Sequence, residues 1–531
     1  MPKNTVSLME FHPVRLALAD LIGRERVEAS CRARAALTGE DITKLIALAC
    51  ETVDFLPAQF MARQHVLLRQ VGKRVAEPQT GEPSRGASTR MFDSATNVGM
   101  APLSGLGLFR VGEDGRLFLI SKSEHYHTPL GHSFPGYALL DRARQLGIPN
   151  ATHNNTRGQF TRRLEIELVA SAHGGSSDDS AALAKIIASN DLYVPNRVLN
   201  LETGSLAIEA ALKLALARFY RIEAGSPEPK YSGRIPVLLV MGNDDGGVQA
   251  NYHGTTIVAQ TVRGMWPEFY AGIEQARLYR VCPIRPNNFD DLETAFAKWE
   301  GNGHKIAGFF HEIVMMNYGG RLLSKEFLQR AYALCRAHDV PTVVDEIQSC
   351  MWHPDLFMFR EWGLTPSCVG VGKGFPGGEY PASRLIFSAA LDVMPQFGAL
   401  VTNGQEEIAS IAYLVTMRWA KANAEITRAI GDYYEARLRE FAAAHPDKIS
   451  AVEGKRHLTT MYFKGLEAAK AFARELNRRG LDISAQTYKA DCPPAVLTKI
   501  PLISTPAVVD FIVTEMESAI QTDGSSNQTG R

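Results

Sequence analysis

Apolar residues recur at helical spacing through Leu16-Ala-Leu-Ala-Asp-Leu-Ile22 and Ile42-Thr-Lys-Leu-Ile-Ala-Leu48, which predicts a mostly helical region up to about residue 75. A breaker-rich stretch follows, Glu77-Pro-Gln-Thr-Gly-Glu-Pro-Ser-Arg-Gly86, and reads as a linker. Leu108 to Ile120 then carries two β-prone runs around Glu-Asp-Gly, the pattern of a hairpin. The middle of the chain alternates short apolar runs with helical patterns. Candidate strands are Ile235–Met241, Ile306–Phe310, Val340–Val344, Cys368–Val371 and Leu385–Phe387, with an amphipathic helix over Lys325–His338. Strand-helix-strand alternation predicts an α/β sheet with its chemistry at the carboxyl ends of the strands. After about residue 402 helical patterns return, and the polar tail 522–531 is expected to be disordered.

Composition narrows the function classes. The 531 residues can bury a substantial core, and 45% hydrophobic with 21% charged residues is ordinary for a globular protein. Lys plus Arg equals Asp plus Glu at 57 each, so no global field draws nucleic acid or anionic membrane. No segment reaches the length of apolar run that a transmembrane helix needs, and the N-terminus lacks a signal-peptide core. The seven cysteines are scattered and form no C-x-x-C pair, which argues against a disulfide framework or a structural metal and for a cytoplasmic home.

The chemistry concentrates in a few segments. Val340-Pro-Thr-Val-Val-Asp345 ends a buried run on a carboxylate, and Cys368-Val-Gly-Val-Gly-Lys-Gly-Phe-Pro-Gly-Gly378 holds Lys373 between glycines. Taken singly, such a lysine is usually a solvated turn residue and such an aspartate a helix cap. Together they are what pyridoxal phosphate (PLP) requires: a carboxylate to hold the pyridine nitrogen protonated and an amine to form the Schiff base. Thr203-Gly-Ser205 opens an Ala/Leu-rich helix whose N-terminus suits a phosphate, although a plain capped helix reads the same way. Tyr252-His-Gly254 offers an aromatic ring beside a tight turn for stacking. Glu312 ends another apolar run, and Gln348 lies three residues beyond Asp345.

In order along the chain, Gly131-His-Ser-Phe-Pro135, Thr203-Gly-Ser205, Tyr252-His-Gly254, Glu312 with Gly319-Gly320, Asp345-Glu-Ile-Gln348, and Lys373 before Gly377-Gly378 resemble the class III aminotransferases. This subgroup of PLP fold type I includes ornithine, GABA and ω-amino-acid transaminases. The match covers roughly residues 100–520. The resemblance implies a mostly parallel central sheet, a small α+β domain and an N-terminal helical extension. It divides the chain into an extension and linker (1–95), the first part of the small domain (96–185), a large cofactor-binding domain (186–400), the rest of the small domain (401–521) and a tail (522–531). It implies Lys373 as the Schiff-base lysine, Asp345 at the pyridine nitrogen and Gln348 at the ring 3-oxygen. Gly204 and Ser205 would bind phosphate, Tyr252 would stack, and Glu312 would line the substrate side. Thr402 would reach the phosphate of a neighbouring subunit, implying a homodimer, with a small-molecule amino donor and a keto-acid acceptor as partners.

This chain departs from the family in three places. Thr255 stands where GABA-type members carry an arginine, and Lys499 is the cation nearest the position of the usual carboxylate-binding arginine. Lysine is a point charge and cannot make the same two-pronged contact. Arg384, where the family usually has a small residue, reads either as a core-edge arginine or as a relocated anion site for substrate. An aminomutase, epimerase or lyase on the same scaffold stays open at this stage. So does a non-catalytic protein with the N-terminal region as an interaction module.

Overall fold

The computed structural model describes residues 10–79, 87–122, 127–396, 398–399, 401, 404–486 and 492–522. At its centre is a seven-stranded sheet in the order Pro195–Leu201, Ser383–Ser388, Cys368–Val371, Thr342–Asp345, His304–His311, Ile235–Met241, Arg280–Ile284. Ser383–Ser388 runs antiparallel to both its neighbours, and the other pairings are parallel. Ile235–Met241 is buried at every position, as expected of a strand covered on both faces by helices. The five strands expected from apolar runs all form. Pro195–Leu201 and Arg280–Ile284 were not expected, because each mixes polar residues into the run.

The Lys325–Ala337 helix shows how local sequence sets an element. Ser324 accepts the Phe327 N–H as an N-cap, and Phe327, Leu328, Ala331, Tyr332 and Cys335 form its buried stripe. Around the main sheet lie, among the described residues, two four-stranded sheets and two two-stranded pairs. The 109–112 and 117–120 strands form the expected hairpin, and Leu481–Asp482 joins its far side in parallel register with Leu119 and Ile120. An antiparallel sheet of Ile449–Glu453, Thr460–Phe463, Ala495–Leu497 and Ser484–Ala485 interrupts the helical pattern read for the C-terminal part.

The N-terminal region is helical over Leu18–Ile22, Arg24–Thr38, Ile42–Cys50 and Ala58–Leu68, and it is built into the rest of the protein. Phe11 packs on Trp419 with ring centroids 5.5 Å apart, His12 N–H donates to Asn423 Oδ1, and Gln64 Oε1 accepts the Leu108 N–H. Among the described residues, no helix is long and apolar enough to cross a membrane. The tail beyond Thr522 and the Thr402 position lie outside the described residues.

Candidate active site

Strand Cys368–Val371 delivers Lys373 to the carboxyl edge of the sheet. Lys373 adopts φ of +41°, a left-handed conformation that costs energy for a residue with a side chain and that gathers at functional turns. Gly374 follows because there is no room for more: a Cβ there would lie 2.4 Å from the Trp352 ring. Burial pushes the Lys373 amine below the ordinary lysine range; the charges of Glu312 and Asp345 oppose that, and Lys122 adds to it.

Asp345 closes the adjacent strand, in register with Gly370. One carboxylate oxygen accepts the Ile347 N–H at 3.1 Å. The other lies 3.1 Å from His253 Nδ1, an arrangement that puts the imidazole proton on Nδ1. His253 is 4% exposed and its Nε2 is buried without a hydrogen-bond partner. Gln348 donates its side-chain amide to Glu312 Oε1 at 3.3 Å, while its backbone carbonyl accepts from Lys499 Nζ at 2.6 Å.

The third wall is the start of the Gly204–Leu216 helix. Thr203 caps it through the Leu206 N–H, leaving first-turn amides with no acceptor inside the helix. Ser205 Oγ accepts the Thr255 N–H at 3.2 Å and so ties the 252–255 turn to this terminus. Gly254, at φ of +116°, permits the approach; a Cβ there would sit 2.6 Å from Ser205 Cα. Tyr252 carries the Arg263 guanidinium 4.8 Å above its ring.

These parts enclose a cavity of about 240 Å³ lined by Gly204, Ser205, Tyr252, His253, Asp345, Gln348 and Lys373. A larger cavity of about 480 Å³ lies along the edge strand at Asn196–Asn200 and contains none of them. Size therefore does not locate the site; the convergence of amine, carboxylate, helix terminus and aromatic ring does.

Six of the expected residues thus come together. Glu312 stands behind Gln348, within electrostatic reach of Lys373. Of the two readings of Arg384, the strand's two-residue period favours the core-edge arginine. Ser383 faces the cavity, so Arg384 turns to the opposite face, where it is fully buried 5.1 Å from the Tyr413 ring and donates to Leu201 O and Ser383 O. His253 was not singled out from sequence, although it is the middle residue of the Tyr252–Gly254 turn.

The residues fit pyridoxal phosphate. Free helix amides beside Ser205 suit a phosphate, Tyr252 a flat ring, Asp345 a protonated ring nitrogen, and the buried Lys373 amine an aldehyde.

The family model for class-III aminotransferases matches residues 164–520. An ornithine aminotransferase of Emericella nidulans is 28% identical over 281 residues, which is 51% of this chain and 53% of that enzyme's length. A diaminobutyrate–2-oxoglutarate transaminase of Streptomyces avermitilis is 25% identical over 367 residues, 65% of this chain and 81% of its own. Among solved structures, the ornithine aminotransferase of Toxoplasma gondii, with partial occupancy of PLP at its active site, superposes with a TM-score of 0.63 at 19% identity, covering 81% of this chain and 92% of that one. The structural likeness shows the fold, and the family model spans well over half of the sequence. The chain belongs to the class-III aminotransferases, a family that works with pyridoxal phosphate.

Proposed function

We propose that this enzyme moves an amino group from an amino acid or amine to a keto acid, with Lys373 carrying the cofactor. The observation that carries the reading is the single cavity in which Lys373, Asp345, Tyr252 and the 204–205 helix terminus meet. When bound, the cofactor supplies an electron sink for the bond broken at the donor carbon. The protein supplies the rest. Asp345, oriented by His253 and the Ile347 amide, holds a proton on the ring nitrogen. Gly204 and Ser205 hold the phosphate, and Tyr252 fixes the ring plane. Lys373, its amine kept low by burial, takes and returns the proton at the donor carbon. Gln348 and Glu312 form the wall at the ring's oxygen edge and the substrate side.

The relatives' names suggest ornithine and 2,4-diaminobutyrate as first donors to test and 2-oxoglutarate as first acceptor. The assembly in this reading is a homodimer, with Thr402 reaching the neighbour's phosphate. Exposed Ile257, Trp266 and Phe269, just beyond the turn that carries Tyr252, support such a covered face. The cysteines are all free, which supports a reducing, cytoplasmic setting. The domain limits at 95, 185, 400 and 521 belong to the same proposal.

The test begins with PLP added to the purified protein. A yellow band should form and bleach with an amino donor, and borohydride reduction followed by peptide mapping should place the pyridoxyl group on Lys373. An adduct on another lysine, or no band, would overturn the reading.

A further inference from the structure

The turn that carries Tyr252 is clamped from behind as well as from the 204–216 helix. Asn251, 2% exposed, donates its side-chain amide to Val248 O at 2.5 Å and to Val262 O at 3.4 Å. The Ile257–Val262 helix begins where Thr256 Oγ1 donates to Glu209 Oε2 at 2.8 Å. It stops before Gly264, which has φ of +80° and no room for a Cβ, since that atom would lie 2.6 Å from Val248 Cγ2. The chain so returns to its own start, with Val262-Arg263 beside Asn251-Tyr252. This return places the Arg263 guanidinium over the Tyr252 ring, 4.8 Å from its centre, where the negative face of the ring attracts a cation.

Among the described residues, the Arg263 side chain makes no hydrogen bond or ion pair, and its Nε is buried without an acceptor. An arginine at the end of a helix ordinarily turns its charge to water or to the last carbonyls. Arg263 gives up the hydration of Nε and meets an aromatic face instead. Tyr252 lines the cavity and Arg263 does not, so the guanidinium covers the face of the ring turned away from the cavity. The other face is left for a ligand. Resting on the reading of Tyr252 as the residue that stacks on the cofactor, we propose that Arg263 is a positioning residue for PLP. It grips Tyr252 from behind and presets the plane on which the cofactor ring lands. A side chain already held before binding loses less freedom when the ligand arrives, which raises affinity.

The experiment is a double-mutant cycle read by the dissociation constant of PLP, titrated through its visible band into the unloaded protein. Arg263→Met should weaken binding by about threefold to thirtyfold when Tyr252 is present. In Tyr252→Phe, which keeps a ring face, the same substitution should cost as much. In Tyr252→Leu it should cost less than about twofold, because no ring remains to be gripped. Equal losses in all three backgrounds would trace the effect to packing and overturn the inference, as would no loss beside Tyr252. At saturating PLP the circular-dichroism band of the bound cofactor should change in Arg263→Met, since the ring beneath it is free to tilt; an unchanged band would count against the preset plane. Arg263→Gln carries the same cycle if the Met variant does not fold. Tyr252→Leu separates the two readings. If it binds PLP as tightly as wild type, Tyr252 does not stack and both fall; if it binds weakly while Arg263→Met is silent, only the role of Arg263 falls.

Discussion

Around Arg456 a buried guanidinium is met by carboxylates at hydrogen-bond distance, while in the cavity the buried Lys373 amine is held below the ordinary lysine range. Arg456, 5% exposed, makes a two-pronged contact with Glu361 at 2.8 and 3.0 Å and donates Nε–H to Asp432 at 2.8 Å. His353 also bonds Glu361, and the Arg456 backbone N–H donates to Glu435 at 2.9 Å. The cluster ties the 353–361 segment to the C-terminal helices. In the cavity, burial holds the Lys373 amine low and His253 Nε2 has no partner. Matched charge holds two parts of the fold together. In the cavity, a depressed amine and a ring nitrogen without a partner are groups that the fold itself does not use up.

That contrast predicts opposite responses to mutation. Arg456→Met should cost stability and spare the chemistry, because it strands Glu361 and Asp432 beside an apolar side chain. The carboxylates left behind stay partly hydrated, so the expected loss is about 1–3 kcal/mol in urea unfolding. A loss below about 1 kcal/mol would place the cluster with ordinary surface pairs. Asp345→Asn should do the reverse. Asn cannot hold the ring nitrogen protonated, so turnover should drop by about a hundredfold to a thousandfold, with the unfolding midpoint nearly unchanged. Near-wild-type turnover would remove Asp345 from its role.

Gly374→Ala should touch both properties at once. The added Cβ would lie 2.4 Å from the Trp352 ring, which is itself held by Ile500 O and covered by Lys499. Overpacking of this kind costs about 1–3 kcal/mol, and here it should also weaken PLP binding. Both are read from a thermal melt and an equilibrium titration with PLP. A melt unchanged from wild type would mean that the Trp352 ring yields freely.

Much of this site could be read from the residues because its parts sit at fixed places in sequence. Asp345 ends an apolar strand, Lys373 is bracketed by glycines, and Gly204-Ser205 starts a helix, so each position follows from a short local pattern. Arg384 kept two readings for a different reason: which face of a strand it uses depends on its neighbours, and Ser383 rather than Arg384 took the cavity side. The orientation of Lys499 was not legible either, since its partners Gln348 and Trp352 lie about 150 positions away in sequence. The small strands at 449–453 and 484–485 were hidden because helices flank them on a short scale. Close packing between distant segments, not local pattern, settles such positions.

The smallest expected effect is the pH dependence of the matched cluster. Burial by itself would raise the Glu361 carboxyl, but hydrogen bonds from His353 and Arg456 overturn that and hold it well below the carboxylate range. A carboxyl depressed in the folded state adds stability above its unfolded value, near pH 4.3, and loses it as pH falls through the folded value. Burial depresses His353, so it stays neutral in the folded protein while the unfolded chain takes up a proton below about pH 6.5. Both groups therefore lower stability on the acid side, His353 first and Glu361 later. Glu361 is partly exposed, so its share is discounted for solvent screening to no more than about 1 kcal/mol. Urea midpoints taken at neutral, mildly acidic and strongly acidic pH should fall in that order. In Arg456→Met the last step should flatten in part, since Glu361 has lost one of its two partners. An equally steep last step in the variant would show that other carboxylates set the acid limit, and that the Arg456 cluster holds its segments together without sensing pH.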